Sequence, residues 1–219
     1  MARETKTAKR LRAQEIGRRL EQHFGQRPCP LHFDGDPFKL TIATLLSAQT
    51  TDVRVNEVTP LLWEKYPSIE ALANAVPYEL EDILRPIGFY HVKAENCIKC
   101  AQTVIDTFDG VVPHTIADLC KLPGVGRKTA NVVMAEGFGI AEGIAVDTHV
   151  FRVAHLLGLS KGETPEQVEK DLCSLYPKEE WLHVNRRWVL FGREVCIARR
   201  PRCSSCPVQD LCPSARMDN

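Results

Sequence analysis

The run Leu122-Pro123-Gly124-Val125-Gly126-Arg127-Lys128-Thr129-Ala130-Asn131, followed by Gly137, Gly139 and then Val146-Asp147-Thr148-His149, decides how the chain is read. Two glycines flank one residue after a proline and directly before a helix-forming run. That order predicts a tight hairpin opening straight into a helix. In such a hairpin the backbone N–H groups of Gly124, Val125 and Gly126 are expected to point outward. Unpaired donors at the positive end of a helix dipole suit a phosphate. A Gly-x-Gly before a helix also serves as a plain turn, so the segment is weighed with its neighbours.

Lys128 falls in the first turn of that helix, where the dipole disfavours a further positive charge and pushes an amine pKa down. Lowering a lysine from its ordinary value of about 10.4 makes it an amine nucleophile at neutral pH. Asp147 stands nineteen residues further on. Each has a plainer reading: Lys128 as one more phosphate-binding cation, and Asp147 as the N-cap of a helix beginning at Thr148. Leu122 to Asn131 and Val146 to Val150, at this separation, resemble the helix-hairpin-helix and the following Gly/Pro-rich loop with its aspartate in the endonuclease III family of DNA glycosylases. The resemblance covers nearly the whole chain, from Leu45-Leu46-Ser47-Ala48-Gln49-Thr50-Thr51-Asp52 to the cysteines near the C-terminus.

The 219 residues suffice for one large or two small domains, and 44% hydrophobic residues suit a folded protein. The first residues, Met1 to Lys6, lack the apolar stretch of a secretion signal, and no apolar run approaches the roughly 20 residues of a membrane span. A cytoplasmic, nucleoid-associated protein is expected. A formal net charge of zero argues by itself against a nucleic-acid ligand, but the charge is segregated. Residues 1–27 hold eight basic side chains (Arg3, Lys6, Lys9, Arg10, Arg12, Arg18, Arg19, Arg27) against three acids. Residues 183–202 hold six arginines against one glutamate, while 163–180 hold six acids against two lysines. This pattern is compatible with a basic face and an acidic back.

Helical periodicity dominates, and no alternating strand pattern of useful length occurs, so the fold class is all-α. The first helix is predicted over about Thr5 to Phe24, with Leu11, Ile16, Leu20 and Phe24 on its apolar side. Leu40 to Leu46 reads as a buried helix, and Asp52 as the N-cap of the next, ending near Tyr66. Short helices are predicted around 69–75 and 78–85, a turn at Pro86 to Tyr90, and a longer helix from about Val92 to Phe108. Thr115 to Lys121 leads into the hairpin, and helices near 148–157, 165–176 and 179–193 follow Asp147. Cys97 and Cys100 sit inside the long helix, where packing accounts for them.

Nine cysteines form no even framework, and Cys196, Cys203, Cys206 and Cys212 crowd the last part of the chain. A C-x6-C-x2-C-x5-C loop can surround one centre. A structural zinc site usually has two closely paired ligand knuckles, whereas only one C-x-x-C is present. A [4Fe–4S] cluster fits four cysteines in one loop better, with zinc as the alternative. The spacing also matches the loop of the endonuclease III family. The first gap contains Arg199, Arg200 and Arg202, which a tethered loop would hold toward a phosphate backbone.

The resemblance implies two helical lobes, a barrel domain over 30–140 containing the helix-hairpin-helix and a discontinuous domain of 1–29 with 141–219 carrying the cluster, with DNA crossing the cleft between them. It implies a bifunctional DNA glycosylase and abasic-site lyase of base excision repair that removes oxidised pyrimidines from duplex DNA. Lys128 is the implied nucleophile and Asp147 its electrostatic partner. Gly124, Val125, Gly126 and Arg127 are implied to grip the DNA backbone, while Gln49 and Phe89 enter the duplex to fill the gap left by the extruded nucleotide. Phe89 departs from the leucine common at that turn. His149 matches the family's Asp-Thr-His run. A monomer acting on double-stranded DNA with damaged bases or abasic sites is expected, without a membrane. A DNA-binding iron–sulfur redox sensor without catalysis is the alternative, and such a protein has no use for Lys128 with Asp147.

Overall fold

The computed structural model describes residues 4–25 and 27–216; Arg3, part of the basic block read above, lies outside them. Among the described residues there is no strand. In chain order the helices are α1 (Lys6–Phe24), α2 (Pro37–Leu46), α3 (Asp52–Lys65), α4 (Ile69–Ala73), α5 (Pro77–Leu84), α6 (Tyr90–Phe108), α7 (Ile116–Leu119), α8 (Arg127–Val132), α9 (Thr148–Leu156), α10 (Pro165–Leu175) and α11 (Trp181–Glu194). A π-helical turn, Val133–Gly137, prolongs α8, and single 3-10 turns precede α11 and punctuate the cysteine loop. No helix among the described residues is long and apolar enough to cross a membrane.

The chain divides into two compact units, Cys29–Glu142 and Met1–Pro28 with Gly143–Asn219. The first is built around α2. Asp36 caps it by accepting from the N–H groups of Phe38 and Lys39, and Pro37 supplies a preset φ at its first turn. Eight of its ten residues, Thr41 and Thr44 included, are buried. A helix apolar all round can be satisfied only by being surrounded, and α2 packs against α3, α6, α8 and the π turn. The α6 helix also covers α4 and α5. Its Cys97 and Cys100 lie in the core, and burial pushes the Cys97 thiol far up and that of Cys100 up to about 12. They stay protonated and pack as small apolar groups.

The second unit packs α1 against α10 and α11, and α9 against the same two helices. The buried stripe of α1 is Ala13, Ile16, Gly17, Leu20 and Phe24. Leu11 is not part of it and is 62% exposed, because five residues before Ile16 is about 140° away around the helix. Gly17 is required here, since a Cβ would stand 2.9 Å from the Tyr176 ring. The start of α3 also differs from expectation: Thr51 is the cap, its hydroxyl accepting from the Arg54 N–H at 3.3 Å, and Asp52 is the first helical residue. There its charge still favours the dipole.

The approach of the hairpin to the core of its unit is set at Gly124. Its φ is +78°, and a Cβ would lie 2.7 Å from Leu45 Cδ1 and 3.1 Å from Asn96 Cβ. Gly124→Ala should therefore combine left-handed strain with overpacking and cost about 1–3 kcal/mol. A urea titration should show a lowered midpoint with an unchanged slope; a wild-type midpoint would mean that Leu45 and the turn yield freely.

Candidate active site and metal centre

Within Cys29–Glu142 the hairpin forms as a turn closed by one hydrogen bond, Val125 N–H to the Leu122 carbonyl at 3.0 Å. This corrects one expectation. The Val125 N–H does not point outward, because it is spent closing the turn, and its side chain is buried. The N–H groups of Gly124 and Gly126 enter none of the turn's backbone hydrogen bonds. Gly126 is the N-cap residue of α8, with extended backbone, and its carbonyl accepts from Ala130 at 2.9 Å. The hairpin donors not spent on closing the turn are thus those of the two glycines. Arg127 and Lys128 occupy the first turn of α8, both exposed.

Gln49 lies in the turn after α2 and Phe89 at the N-cap of α6, both exposed. Their backbones share an unusual feature. Four non-glycine residues among those described have positive φ: Asp34, Gln49, Phe89 and Asp109. Aspartate tolerates the left-handed region, but for a bulky side chain it is an outlier. Gln49 at +54° and Phe89 at +60° are therefore held by their surroundings. A buried lysine beside the Gln49 turn was not foreseen. Lys93, one turn into α6, is 6% exposed. Its ammonium donates to the Leu46 carbonyl at 2.8 Å, the Ala48 carbonyl at 2.7 Å and the Thr50 hydroxyl at 2.9 Å. Nothing in the sequence around Lys93 marks it, since it resembles any helix-surface lysine.

In the other unit Asp147 is the N-cap of α9, its Oδ1 accepting from the Val150 N–H at 2.8 Å. The capping role is real, and it uses one carboxylate oxygen in that bond. His149 and Arg152, on the same helix, lie against α11 at Gly192. A Cβ there would stand 3.0 Å from His149 Cβ, 3.1 Å from its Nδ1 and 3.3 Å from Arg152 Nη2. The Arg152 guanidinium donates to the Gly192 carbonyl at 3.1 Å and to Cys196 Sγ at 3.7 Å. One short helix thus carries Asp147 at its start and a contact to the cysteine loop one turn later.

Cys196, Cys203, Cys206 and Cys212 all line a single cavity of about 180 Å³, together with Leu156, Phe191 and Val195 among others. The arrangement tests the two metal readings. Four thiolates on one zinc stand about 3.8 Å apart, given zinc–sulfur bonds of about 2.3 Å, and enclose no space. Four sulfurs around a cavity of this size suit a polynuclear cluster. Burial raises the thiols of Cys196, Cys206 and Cys212, and the nearby Arg152 pulls Cys196 part of the way back. Buried thiolates need a cation, which a bound metal centre would supply. Arg199, Arg200 and Arg202 are exposed on the loop.

The basic block of α1 is partly committed elsewhere. Arg12 pairs with Glu4 and donates to the carbonyls of Leu157 and Leu211. Arg18 pairs with Glu15, and Arg19 with Glu15 and Asp210. In the second block Arg187 is buried between Glu21 and Glu180. These arginines hold the unit together, so the basic face is narrower than the residue count suggests.

Comparison with known proteins places the class first. Residues 42–178 match the HhH-GPD superfamily of base excision DNA repair proteins. Residues 196–212, the span of the four cysteines, match the iron–sulfur binding domain of endonuclease III. Endonuclease III of Synechocystis is 43% identical over 209 residues, covering 95% of both chains. Endonuclease III of Escherichia coli K12 is 43% identical over 205 residues, covering 94% of this chain and 95% of its own. A solved structure of a trapped endonuclease III–DNA covalent intermediate superposes with a TM-score of 0.89 at 42% identity, covering 94% of this chain and 96% of that one. The chain belongs to the endonuclease III family. It is a DNA glycosylase and abasic-site lyase of base excision repair, acting on oxidised pyrimidines in duplex DNA, and its cofactor is a [4Fe–4S] cluster. The non-catalytic redox sensor and the zinc alternative are both set aside.

Purified protein should accordingly be brown and contain iron and sulfide in near-equal amounts. Colourless protein with stoichiometric zinc would overturn this account of the loop.

Proposed function

We propose that Lys128 is the amine nucleophile and Asp147 the carboxylate that stabilises the developing charge. The observation that carries the reading is the placement of Lys128, exposed in the first turn directly after the glycine hairpin. The base is first drawn out of the stack, at an unstacking cost of a few kcal/mol that is smallest for a damaged base. The Lys128 amine then bonds to C1′ while the glycosidic bond breaks, its electron pair leaving with the base, which takes up a proton. Opening of the sugar ring, with one proton passing from the nitrogen to O4′, gives a protonated Schiff base. Loss of a C2′ proton then expels the 3′ phosphate by β-elimination. Asp147 lowers the barrier by opposing the positive charge that grows on the sugar, and it assists proton transfer. That a relative was trapped as a covalent intermediate with DNA supports an amine nucleophile.

In the same reading the N–H groups of Gly124 and Gly126 and the first turn of α8 grip a phosphate, with Arg127 beside them. Such contacts position the strand without reading its sequence. Gln49 and Phe89 fill the gap left by the extruded nucleotide, and His149 borders the DNA from α9. Cys196, Cys203, Cys206 and Cys212 are the cluster ligands. The cluster's chemistry here is that of a cross-link, fixing four points of a loop so that Arg199, Arg200 and Arg202 meet the backbone. The protein acts as a monomer in the cytoplasm, on nucleoid DNA.

DNA binding should weaken steeply with salt despite the zero net charge, each neutralised phosphate adding about 0.9 to the slope of log K against log salt. A nearly flat line would mean that the exposed arginines and the hairpin do not meet phosphates.

The catalytic pair is separated from the fold by two substitutions. Lys128→Ala should abolish borohydride trapping and strand cleavage yet leave damaged-duplex binding largely intact, because the backbone N–H groups remain. Asp147→Asn should keep the cap, since asparagine caps about as well as aspartate, yet lose about 10²–10³ in turnover with the charge gone. Full activity in Asp147→Asn would reduce Asp147 to a cap, and trapping by Lys128→Ala would place the nucleophile elsewhere.

A further inference from the structure

Lys93 is a cation buried on neutral partners. Its three N–H groups meet the Leu46 carbonyl, the Ala48 carbonyl and the Thr50 hydroxyl, so its donor capacity is filled. All three acceptors come from the end of α2 and the turn that follows it. Burial lowers the ammonium's pKa from its ordinary value, which marks the arrangement as a cost to the charged form. An apolar side chain of similar volume would avoid that cost, so stability alone gives little reason for a lysine here. Geometry gives a better one. The Ala48 carbonyl belongs to the peptide unit that ends at the Gln49 nitrogen, so holding it fixes the peptide plane on one side of the Gln49 N–Cα bond. The Thr50 hydroxyl pins the residue on the other side. Gln49, at φ +54°, is bracketed by the two contacts.

The same residue reaches the second strained position. The Lys93 N–H donates to the Phe89 carbonyl at 3.1 Å, the first hydrogen bond of α6, with Phe89 at φ +60°. Helical side chains lean toward the N-terminus, so the Lys93 side chain projects toward the end of α6 that Phe89 begins. One lysine therefore joins the two turns whose non-aspartate residues hold positive φ. We infer that Lys93 is the positioning residue of the lesion-probing wedge, locking the Gln49 turn to the start of α6 so that Gln49 and Phe89 are presented to the duplex as one preformed unit. This rests on the reading of Gln49 and Phe89 as the wedge. Preformation matters because a loop that must be ordered on binding spends part of its interaction energy on that ordering.

A plain structural reading competes: a lysine at the negative end of α2, satisfying its last carbonyls. The two differ in what a substitution moves. The test uses the full holoenzyme, duplexes with and without a tetrahydrofuran abasic analogue, and the ratio of the two dissociation constants. Lys93→Met should reduce this ratio about tenfold, the scale of a lost charge-assisted hydrogen bond, and should speed amide exchange in residues 47–50 of the free protein. In a Gln49→Ala background it should reduce the ratio no further. Lys93→Gln, which keeps a donor, should fall between and serves if the methionine variant does not fold. If Gln49→Ala lowers the ratio while Lys93→Met leaves it unchanged, the wedge stands and the role of Lys93 is wrong. An equal loss from Lys93→Met with and without Gln49 would also overturn it, since the lysine would then be acting elsewhere. If Gln49→Ala and Phe89→Ala both keep the ratio, the wedge reading itself fails and the proposal falls with it.

Discussion

The hairpin can lie against the end of α2 only because residue 124 has no side chain. With a Cβ 2.7 Å from Leu45 Cδ1, the turn would have to lift. Leu122 and Val125, both buried in the same core, would then leave it. The contact does two things at once. It seats the turn whose N–H groups and following helix carry Arg127 and Lys128, and it sets that turn beside Leu45 and Asn96, the neighbours of the Gln49 turn and of Lys93. Close backbone approach is therefore what groups the hairpin, the end of α2 and the start of α6 within one unit.

Around that contact the protein stores strain and buries charge where a stable core would have neither. Gln49 and Phe89 adopt left-handed backbone, and Lys93 is buried without a carboxylate. Each departure costs stability, and together they fall on two short turns while the apolar interior of the unit, from Leu40 to Val104, follows ordinary packing. Strain confined in this way is found where the surroundings over-determine a conformation that function needs.

Much of this was legible in the sequence, for physical reasons that also mark where legibility ended. Glycine spacing announced the hairpin because a positive φ beside a close contact admits almost nothing else. Four cysteines within one loop announced a cluster because thiols so placed share a centre. The extent of α9 followed from its Asp147 cap, whereas α2 was legible only from Leu40 onward, its Asp36 cap and Pro37 start unread. The Val125 N–H was misjudged because which donor closes a turn depends on its type, and Gly-x-Gly fits more than one. Leu11 was misjudged because one large apolar residue does not define a stripe when the small residues Ala13 and Gly17 do. Lys93 was invisible, since a lysine's burial is decided by the carbonyls it meets, and those lie more than 40 residues away in sequence.

The arginines show why net charge was a poor guide. The cysteine loop has little apolar surface, with Val208 its one fully buried hydrophobic side chain among the described residues, so a core cannot order it. Arginines on α1 contribute instead: Arg12 donates to the Leu211 carbonyl, and Arg19 to the Pro207 carbonyl and the Asp210 carboxylate. Arg152 reaches Cys196 from α9. The cluster closes the loop from within while these guanidiniums hold it from outside. Planar, multiply donating side chains suit carbonyls and carboxylates better than a lysine would, which explains why this unit spends arginine on its own loop. In the reading proposed for the loop, what remains for DNA is the smaller set left exposed, Arg199, Arg200 and Arg202 among them. Placing those three within the loop that the other arginines immobilise turns a structural use of positive charge into a positional one.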